Sequence, residues 1–301
     1  MTKLVVTTGT RFTDIDGLAC VIAYREIPNE PPLAVIPGEL NQSVTTKIRS
    51  WPLNFATTLR ESGEYDFVVV DVSETSQLAN FVNKDRVVEL YDHHFGFEKF
   101  WQEKLGGKAK IEAVGACATL IWEEFKKRCP GKKISPLAAN LLYAAIISNT
   151  LNFQASVTTE RDKQAFEELK AFINLPADWT ARYYQDQEVD IYTNPERAIA
   201  NDTKIQIIKG MRCAVGQLEL WNSRAFIEEH LRQIEMVMRE LEPEIWFFSS
   251  PSISEGRNYI FTKSETVKNL LRQVLAVDFF GTDIGVTRKL WLRKEILKKI
   301  Q

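Results

Sequence analysis

The stretch KLVVTTGTRFTDIDGLACVIAYREI, residues 3–27, decides the fold. KLVVTT is a short apolar, β-branched run bounded by Gly9, and GLACVIAYREI carries its apolar positions at helical spacing. A strand, a polar loop and a helix are predicted. The unit recurs outward along the chain: LAVI (33–36), FVVV (67–70) ahead of a polar helix expected near 75–83, and VVELY (87–91) are continuous apolar runs alternating with helical stretches. Strands covered on both faces read this way, so the pattern predicts an α/β fold, a doubly wound parallel sheet with helices on both faces. From about residue 114 the reading is helical through VGACATLIWEEFKKR, PLAANLLYAAIIS, TERDKQAFEELKAFI and ADWTARYYQDQ, punctuated by Gly131 and Pro176.

The pattern changes at VDIYTNPERAIAND (189–202). Residues 1–188 are expected to form one domain, 189–202 a linker and 203–301 a smaller α+β domain. In the latter, KIQIIKGMRCAVGQLEL reads as a hairpin turning at Lys209-Gly210. A long amphipathic helix over 223–241 follows, with Ile227, Leu231, Ile234, Met238 and Leu241 on one stripe. IWFFSS, NYIFT, a helix capped at Ser264 and an alternating run, GVTRKLWL, complete it. A length of 301 residues agrees with two domains of roughly 150 residues each.

Lys plus Arg number 38 against 40 Asp plus Glu, and a net charge of -2 offers no global attraction to nucleic acid or acidic membranes. No basic, aromatic-rich stripe accompanies the motifs, so nucleic acid is not an expected partner. The GGKAK loop (106–110) reads as a solvated turn. The apolar run at the N-terminus is too short for a signal peptide, and no window approaches roughly 18 apolar residues, so a cytoplasmic, membrane-free protein is expected. Cys20, Cys117, Cys129 and Cys213 are widely spaced, which predicts reduced, mostly buried thiols.

No phosphate-binding glycine loop, dinucleotide fingerprint, His-Glu-x-x-His or nucleophile elbow is present. Instead, Asp14 and Asp16 follow the first strand, Asp71 ends FVVV, and Asp92-His93-His94 ends VVELY. If those strands are neighbours, the six side chains converge beyond the carboxyl edge of the sheet, where open α/β sheets bind ligands. In extended backbone Asp14 and Asp16 project to one side, and His93 and His94 to opposite sides. Oxygen and imidazole ligands suit Mn²⁺ or Mg²⁺ better than zinc. Two such ions about 3.5–4 Å apart, sharing a carboxylate, clamp a phosphate and activate a water. Each Asp also reads as a helix cap. The metal reading is preferred because two of only three histidines in the chain join the cluster.

The ordered motifs TGTRFTDIDG (8–17), VVVDVSE (68–74), YDHHFG (91–96), EAVGACATLIWEEF (112–125) and AIISNTLNFQASVTTERD (145–162) resemble the DHH phosphoesterase superfamily. They resemble most its branch of family II inorganic pyrophosphatases and exopolyphosphatases. The resemblance implies that Asp14 binds one metal, Asp16 the other, and Asp71 bridges both. His93 joins the second, His94 contacts substrate phosphate, and Asp92 orients an imidazole from behind. Asp71, His93 and His94 are thus the implied catalytic set. Thr287-Arg288-Lys289 resembles that branch's Ser-Arg-Lys element, which implies that Arg288 and Lys289 grip phosphate.

Three positions depart from the branch. Gly9-Thr10 stands where a His or Asn ligand follows the glycine, Ser148-Asn149-Thr150 replaces a carboxylate with an amide, and the expected substrate lysine falls near Thr193 and Asn194. Thr10 is then left beside the metals rather than on them, and Asn149 is a weak ligand. Two divalent ions facing three carboxylates imply reduced occupancy. The expected activity is divalent-metal-dependent hydrolysis of phosphoanhydride bonds in a small phosphorylated substrate, exopolyphosphatase-like ahead of pyrophosphatase-like, and weakened by Thr10 and Asn149. A homodimer is compatible with this reading. The alternative is a catalytically degenerate relative that binds a phosphorylated ligand or a protein partner.

Overall fold

KLVVT forms strand β1 (Lys3–Thr7), and after the two-residue strand β2 (Phe12–Thr13) the chain enters helix α1 (Ile15–Tyr24), as the spacing predicts. The computed structural model describes residues 2–10, 12–59 and 64–300. Their contacts divide into a first unit, residues 1–153 with 157–180, and a second, residues 154–156 with 181–301.

The first unit continues with β3 (Leu33–Val35), β4 (Glu39–Leu40), α2 (Thr46–Arg49), β5 (Tyr65–Val70), β6 (Val87–Asp92), α3 (Glu98–Leu105) and β7 (Ala109–Ile111). Then come α4 (Cys117–Arg128), α5 (Pro136–Asn149) and α6 (Glu160–Leu169). Five strands form one parallel sheet in the order β3-β1-β5-β6-β7. The chain steps from β1 to β3 on one side and then from β5 to β7 on the other, so the order reverses between β1 and β5. This is the topological switch point at which such sheets bind ligands. Val5, Phe67 and Val69 pack against Trp101 of α3 on one face. The alternate residues Val6, Val68 and Val70 face the other way and are fully buried, with α1 packed on β1 and β5 and α4 on β6. The expected doubly wound sheet is present.

Two local expectations fail for identifiable reasons. Residues 75–83 form only a 3₁₀ turn, Thr75–Gln77, and further turns. Glu74 accepts from Ser76 Oγ and Gln77 Nε2, both at 2.5 Å, and such local side-chain bonding competes with a helix. The GGKAK stretch leads into the edge strand β7, where Lys110 pairs with Glu124 of α4. Its pairing with β6 makes it a strand, since its own sequence has no apolar run.

The second unit takes in most of α7 (Trp179–Thr193), then α8 (Pro195–Asn201) and the hairpin β8 (Thr203–Ile208) and β9 (Met211–Gln217). Residues 189–202 are therefore largely helical. Asn194 caps α8 and Pro195 opens it, so the Asn-Pro pair starts a helix where a linker was expected. The hairpin turns at Lys209 and Gly210, both at positive φ. After it follow α9 (Ser223–Glu240), β10 (Ile245–Ser252), β11 (Arg257–Phe261), α10 (Glu265–Leu275), β12 (Ile284–Val286) and α11 (Arg293–Ile300). The sheet runs β12-β11-β10-β9-β8, with only β9 and β10 parallel. Phe226, Ile227, Ile234 and Met238 of α9 cover one face, while Leu271 of α10 and Ile296 of α11 pack on the other. The run GVTRKLWL leaves the sheet after Val286 because Asn258 takes it over: its N–H donates to Thr287 Oγ1 (2.7 Å) and its Oδ1 accepts from the Trp291 N–H (2.7 Å).

Cys20, Cys117 and Cys213 are buried and Cys129 half-buried, all as free thiols. No helix among the described residues is long and apolar enough to cross a membrane.

Glu219, just after β9, supplies a pH test of the second unit. Burial first, then the Asp202 carboxylate, pushes it up to about 7 against the opposing hydrogen bond from Gln217. A carboxyl raised above its unfolded value of about 4.3 binds its proton more tightly when folded, so stability falls as pH rises through that interval. The melting temperature is expected to drop by a few degrees more between pH 5 and pH 8 in the wild type than in Glu219→Gln. Parallel profiles would contradict this.

Candidate metal centre

Strands β1, β5 and β6 are neighbours, so their carboxyl ends lie side by side at the switch point. Asp71 follows β5 with φ of 59°, a left-handed conformation that few residues other than glycine adopt, and its N–H donates to the Tyr91 carbonyl of β6 at 2.8 Å. Asp92 ends β6. Its Oδ1 accepts the N–H of His93 (2.7 Å), the N–H of His94 (3.1 Å) and His94 Nδ1 (2.9 Å). This turn ends the alternation of the strand, so the two imidazoles are not on opposite sides as expected. Their ring centroids are 4.3 Å apart, edge to face. Burial pushes Asp92 up, but the hydrogen bond and charge of His94 outweigh it and hold the carboxyl below its usual range. Ser73 adds a hold, donating from Oγ to the His94 carbonyl at 3.1 Å.

His93 is oriented from behind by the backbone. Its Nδ1 lies 3.1 Å from the Val114 carbonyl, which only accepts, so Nδ1 is assigned a proton and Nε2 is left facing the carboxylates. That Nε2 lies 3.5 Å from Asp71 Oδ1 and 3.8 Å from Asp16 Oδ2. Asp71 Oδ1 and His93 Nε2 are both buried without a hydrogen-bond partner, and the Asp71 side chain is 7% exposed. Burial, then Asp16 and Asp14, push Asp71 well up. Two buried polar atoms facing each other without a hydrogen bond leave a position for a cation, and an oxygen with an imidazole nitrogen is a donor set that suits Mn²⁺ or Mg²⁺.

Asp14 and Asp16 sit differently from the extended pair that their spacing implied. Asp14 is the N-cap of α1, its Oδ1 accepting the N–H of Asp16 (3.0 Å) and of Gly17 (2.9 Å). Asp16 lies in the first helical turn, fully buried, and aims at the N-terminus of α4, where a helix favours a negative charge. Its Oδ1 accepts from the Ala118 N–H (2.8 Å), and its Oδ2 from the Cys117 N–H (2.7 Å) and from Asn149 Nδ2 (2.6 Å) at the end of α5. Burial raises Asp16 to about 6, with His93 opposing. Gly17 makes the close packing feasible, since a Cβ there would stand 3.0 Å from Thr8 Oγ1 and 3.3 Å from Asp71 Oδ2. Thr10 donates both its N–H (2.9 Å) and its Oγ1–H (3.0 Å) to the Gln77 carbonyl, so it tethers the loop.

The first unit thus brings together Asp14, Asp16, Asp71, Asp92, His93, His94 and Asn149. Arg288 and Lys289 belong to the second unit, exposed in the bend after β12, with Lys289 Nζ 4.0 Å above the Trp291 ring. Sequence reasoning missed two supports. The Val114 carbonyl leaves no side-chain signature. Asp162 is buried and accepts from the N–H groups of Gly115 (2.8 Å), Ala116 (3.3 Å) and Thr159 (2.7 Å), and from the hydroxyls of Thr119 (2.6 Å) and Thr159 (2.7 Å). Thr159-x-x-Asp162 ahead of an amphipathic run was the available signal, a capping box that the structure contains.

An open α/β sheet with facing acceptor atoms at its switch point defines the chain as an α/β protein with a candidate divalent-metal centre. No protein-family model matches it. Over 99% of its length the chain is 23% identical to a probable manganese-dependent inorganic pyrophosphatase of Clostridium acetobutylicum, covering 97% of that protein. It is 22% identical to the manganese-dependent inorganic pyrophosphatase of Methanothrix thermoacetophila over 97% of the chain and 96% of that protein. Its fold matches the crystal structure of a putative family II inorganic pyrophosphatase from Methanococcus jannaschii, with a TM-score of 0.65, 19% identity, and coverage of 100% of this chain and 99% of that one.

Proposed function

We propose that the chain is a divalent-metal-dependent hydrolase of phosphoanhydride bonds, acting on pyrophosphate or a short polyphosphate. The observation that carries this reading is the pair of buried, unpartnered acceptors, Asp71 Oδ1 and His93 Nε2, facing each other at 3.5 Å at the switch point. Full-length similarity to proteins named as manganese-dependent pyrophosphatases supports it. A bound Mn²⁺ or Mg²⁺ supplies Lewis acidity toward phosphate oxygen and an acidified water.

The chain's own residues do the rest. Asp71 and His93 would hold the ion, with Asp14 at the edge of the same cluster. Asp92 fixes His94 by Nδ1, leaving Nε2 to meet a phosphate oxygen, and a hydrogen bond raises the His94 value so that the ring carries positive charge more readily. Arg288 and Lys289 of the second unit, exposed after β12, are assigned to gripping phosphate.

Phosphate release from pyrophosphate and from short polyphosphate, with Mn²⁺ or Mg²⁺, tests the reading. Metal-dependent release is expected. Binding of a diphosphate without release would instead favour the degenerate relative. His94→Ala removes the ring while leaving Asp71, His93 and the Asp92 bonds to the backbone in place, so kcat is expected to fall about 100-fold with Mn²⁺ binding retained. Unchanged kcat would remove His94 from the site.

A further inference from the structure

Asp16 differs from Asp71 in one respect that bears on how many ions the chain holds. A carboxylate offers about four acceptor positions. Those of Asp16 are met by the Cys117 N–H (2.7 Å), the Ala118 N–H (2.8 Å), Asn149 Nδ2 (2.6 Å) and the weak donor Cys20 Sγ (3.5 Å). Asp71 Oδ1 and His93 Nε2 have no such partner. Asn149 is the unusual donor. Two carboxylates side by side repel unless a cation lies between them, whereas an amide facing a carboxylate turns its N–H toward it and forms a hydrogen bond. Since the Asp16 oxygen only accepts, the orientation of the Asn149 amide is decided, with nitrogen toward Asp16.

We infer that the chain is a one-ion protein: a single divalent cation is held between Asp71 and His93, and the Asn149 amide proton takes the place of a second cation at Asp16. The inference rests on the proposed metal-dependent function for the identity of the ion, but not on turnover. Asp16 then serves to hold the N-terminus of α4, and through Val114 and Gly115 just before it the orientation of His93. Thr10 fits the same picture, because its hydroxyl is tied to the Gln77 carbonyl.

The test is a metal count. The full chain is equilibrated with Mn²⁺ by dialysis without any phosphate, bound manganese is measured per chain by atomic emission, and electron paramagnetic resonance reports whether bound ions are coupled. One ion per chain with an uncoupled signal is expected in the wild type. Asn149→Asp, which exchanges the donor for a ligand, is expected to bind two ions with a coupled signal, circular dichroism verifying that it is folded. Two ions in the wild type, or none, overturn the inference without recourse to any variant. A folded Asn149→Asp that still holds one ion overturns the role of the amide. One ion with no phosphate release would leave this inference standing and remove the proposed hydrolysis, whereas two ions with release would do the reverse.

Discussion

Asp71→Asn is expected to lose phosphate release by about 10³-fold or more while making the metal-free protein more stable. The activity loss follows from the geometry, because Asp71 Oδ1 is one of the two buried acceptors that face each other across 3.5 Å. Lewis-acid stabilisation of several kcal/mol disappears with the ion, and each 1.36 kcal/mol is tenfold in rate. The stability gain has a separate cause. Asp71 is buried beside Asp16 and Asp14, and these, after burial itself, push its carboxyl well up. Asparagine removes that charge yet tolerates the left-handed backbone at φ of 59° better than most residues. A carboxyl raised by folding destabilises increasingly as pH rises, so the gain should be larger at pH 8 than at pH 5. Melting curves of metal-free protein at both pH values, beside an activity assay, check both halves. Retained activity would remove Asp71 from the site, and a lower melting temperature at pH 8 would refute the repulsion argument.

The largest loss of stability is expected at Asp162, which lies outside the metal cluster. Asp162→Ala leaves the N–H groups of Gly115 and Ala116 and the Thr119 hydroxyl without their buried acceptor, and removes one half of the capping box of α6, the acceptor for the Thr159 N–H. Unsatisfied buried donors cost roughly 1–3 kcal/mol each and do not add fully, so about 3–4 kcal/mol in total is expected. Because Gly115 directly follows Val114, the variant should also lose Mn²⁺ affinity through displacement of the Val114 carbonyl that orients His93. Asp162→Asn keeps an acceptor and should fall between the two. A urea denaturation series measures this, and a loss below about 1 kcal/mol for the alanine variant would mean that the local backbone finds other partners.

The positions of Asp71 and of Asp92-His93-His94 at strand ends were legible because continuous apolar runs mark buried parallel strands, and the residue after each run sits at the sheet edge. The order of those strands was not. That β1, β5 and β6 are adjacent depends on long-range pairing, which no local pattern encodes. Orientation was less legible still. The spacing of Asp14 and Asp16 implied an extended pair, but α1 begins at Ile15, so one caps the helix and the other is inside it. The alternation rule applied to His93 and His94 failed because Asp92 gathers both backbone N–H groups into a turn.

The sequence by itself determined the α/β class and placed the candidate ligands at the strand ends, since burial periodicity and residue type are local properties. Only the tertiary structure decided which of their atoms are left without a hydrogen-bond partner. The Val114 carbonyl selects the His93 tautomer, the N-terminus of α4 occupies Asp16, and the Asn149 amide completes it. These partners lie 21 to 133 residues away along the chain. A hydrogen bond between such distant groups exists only once packing has brought donor to acceptor within about 3 Å.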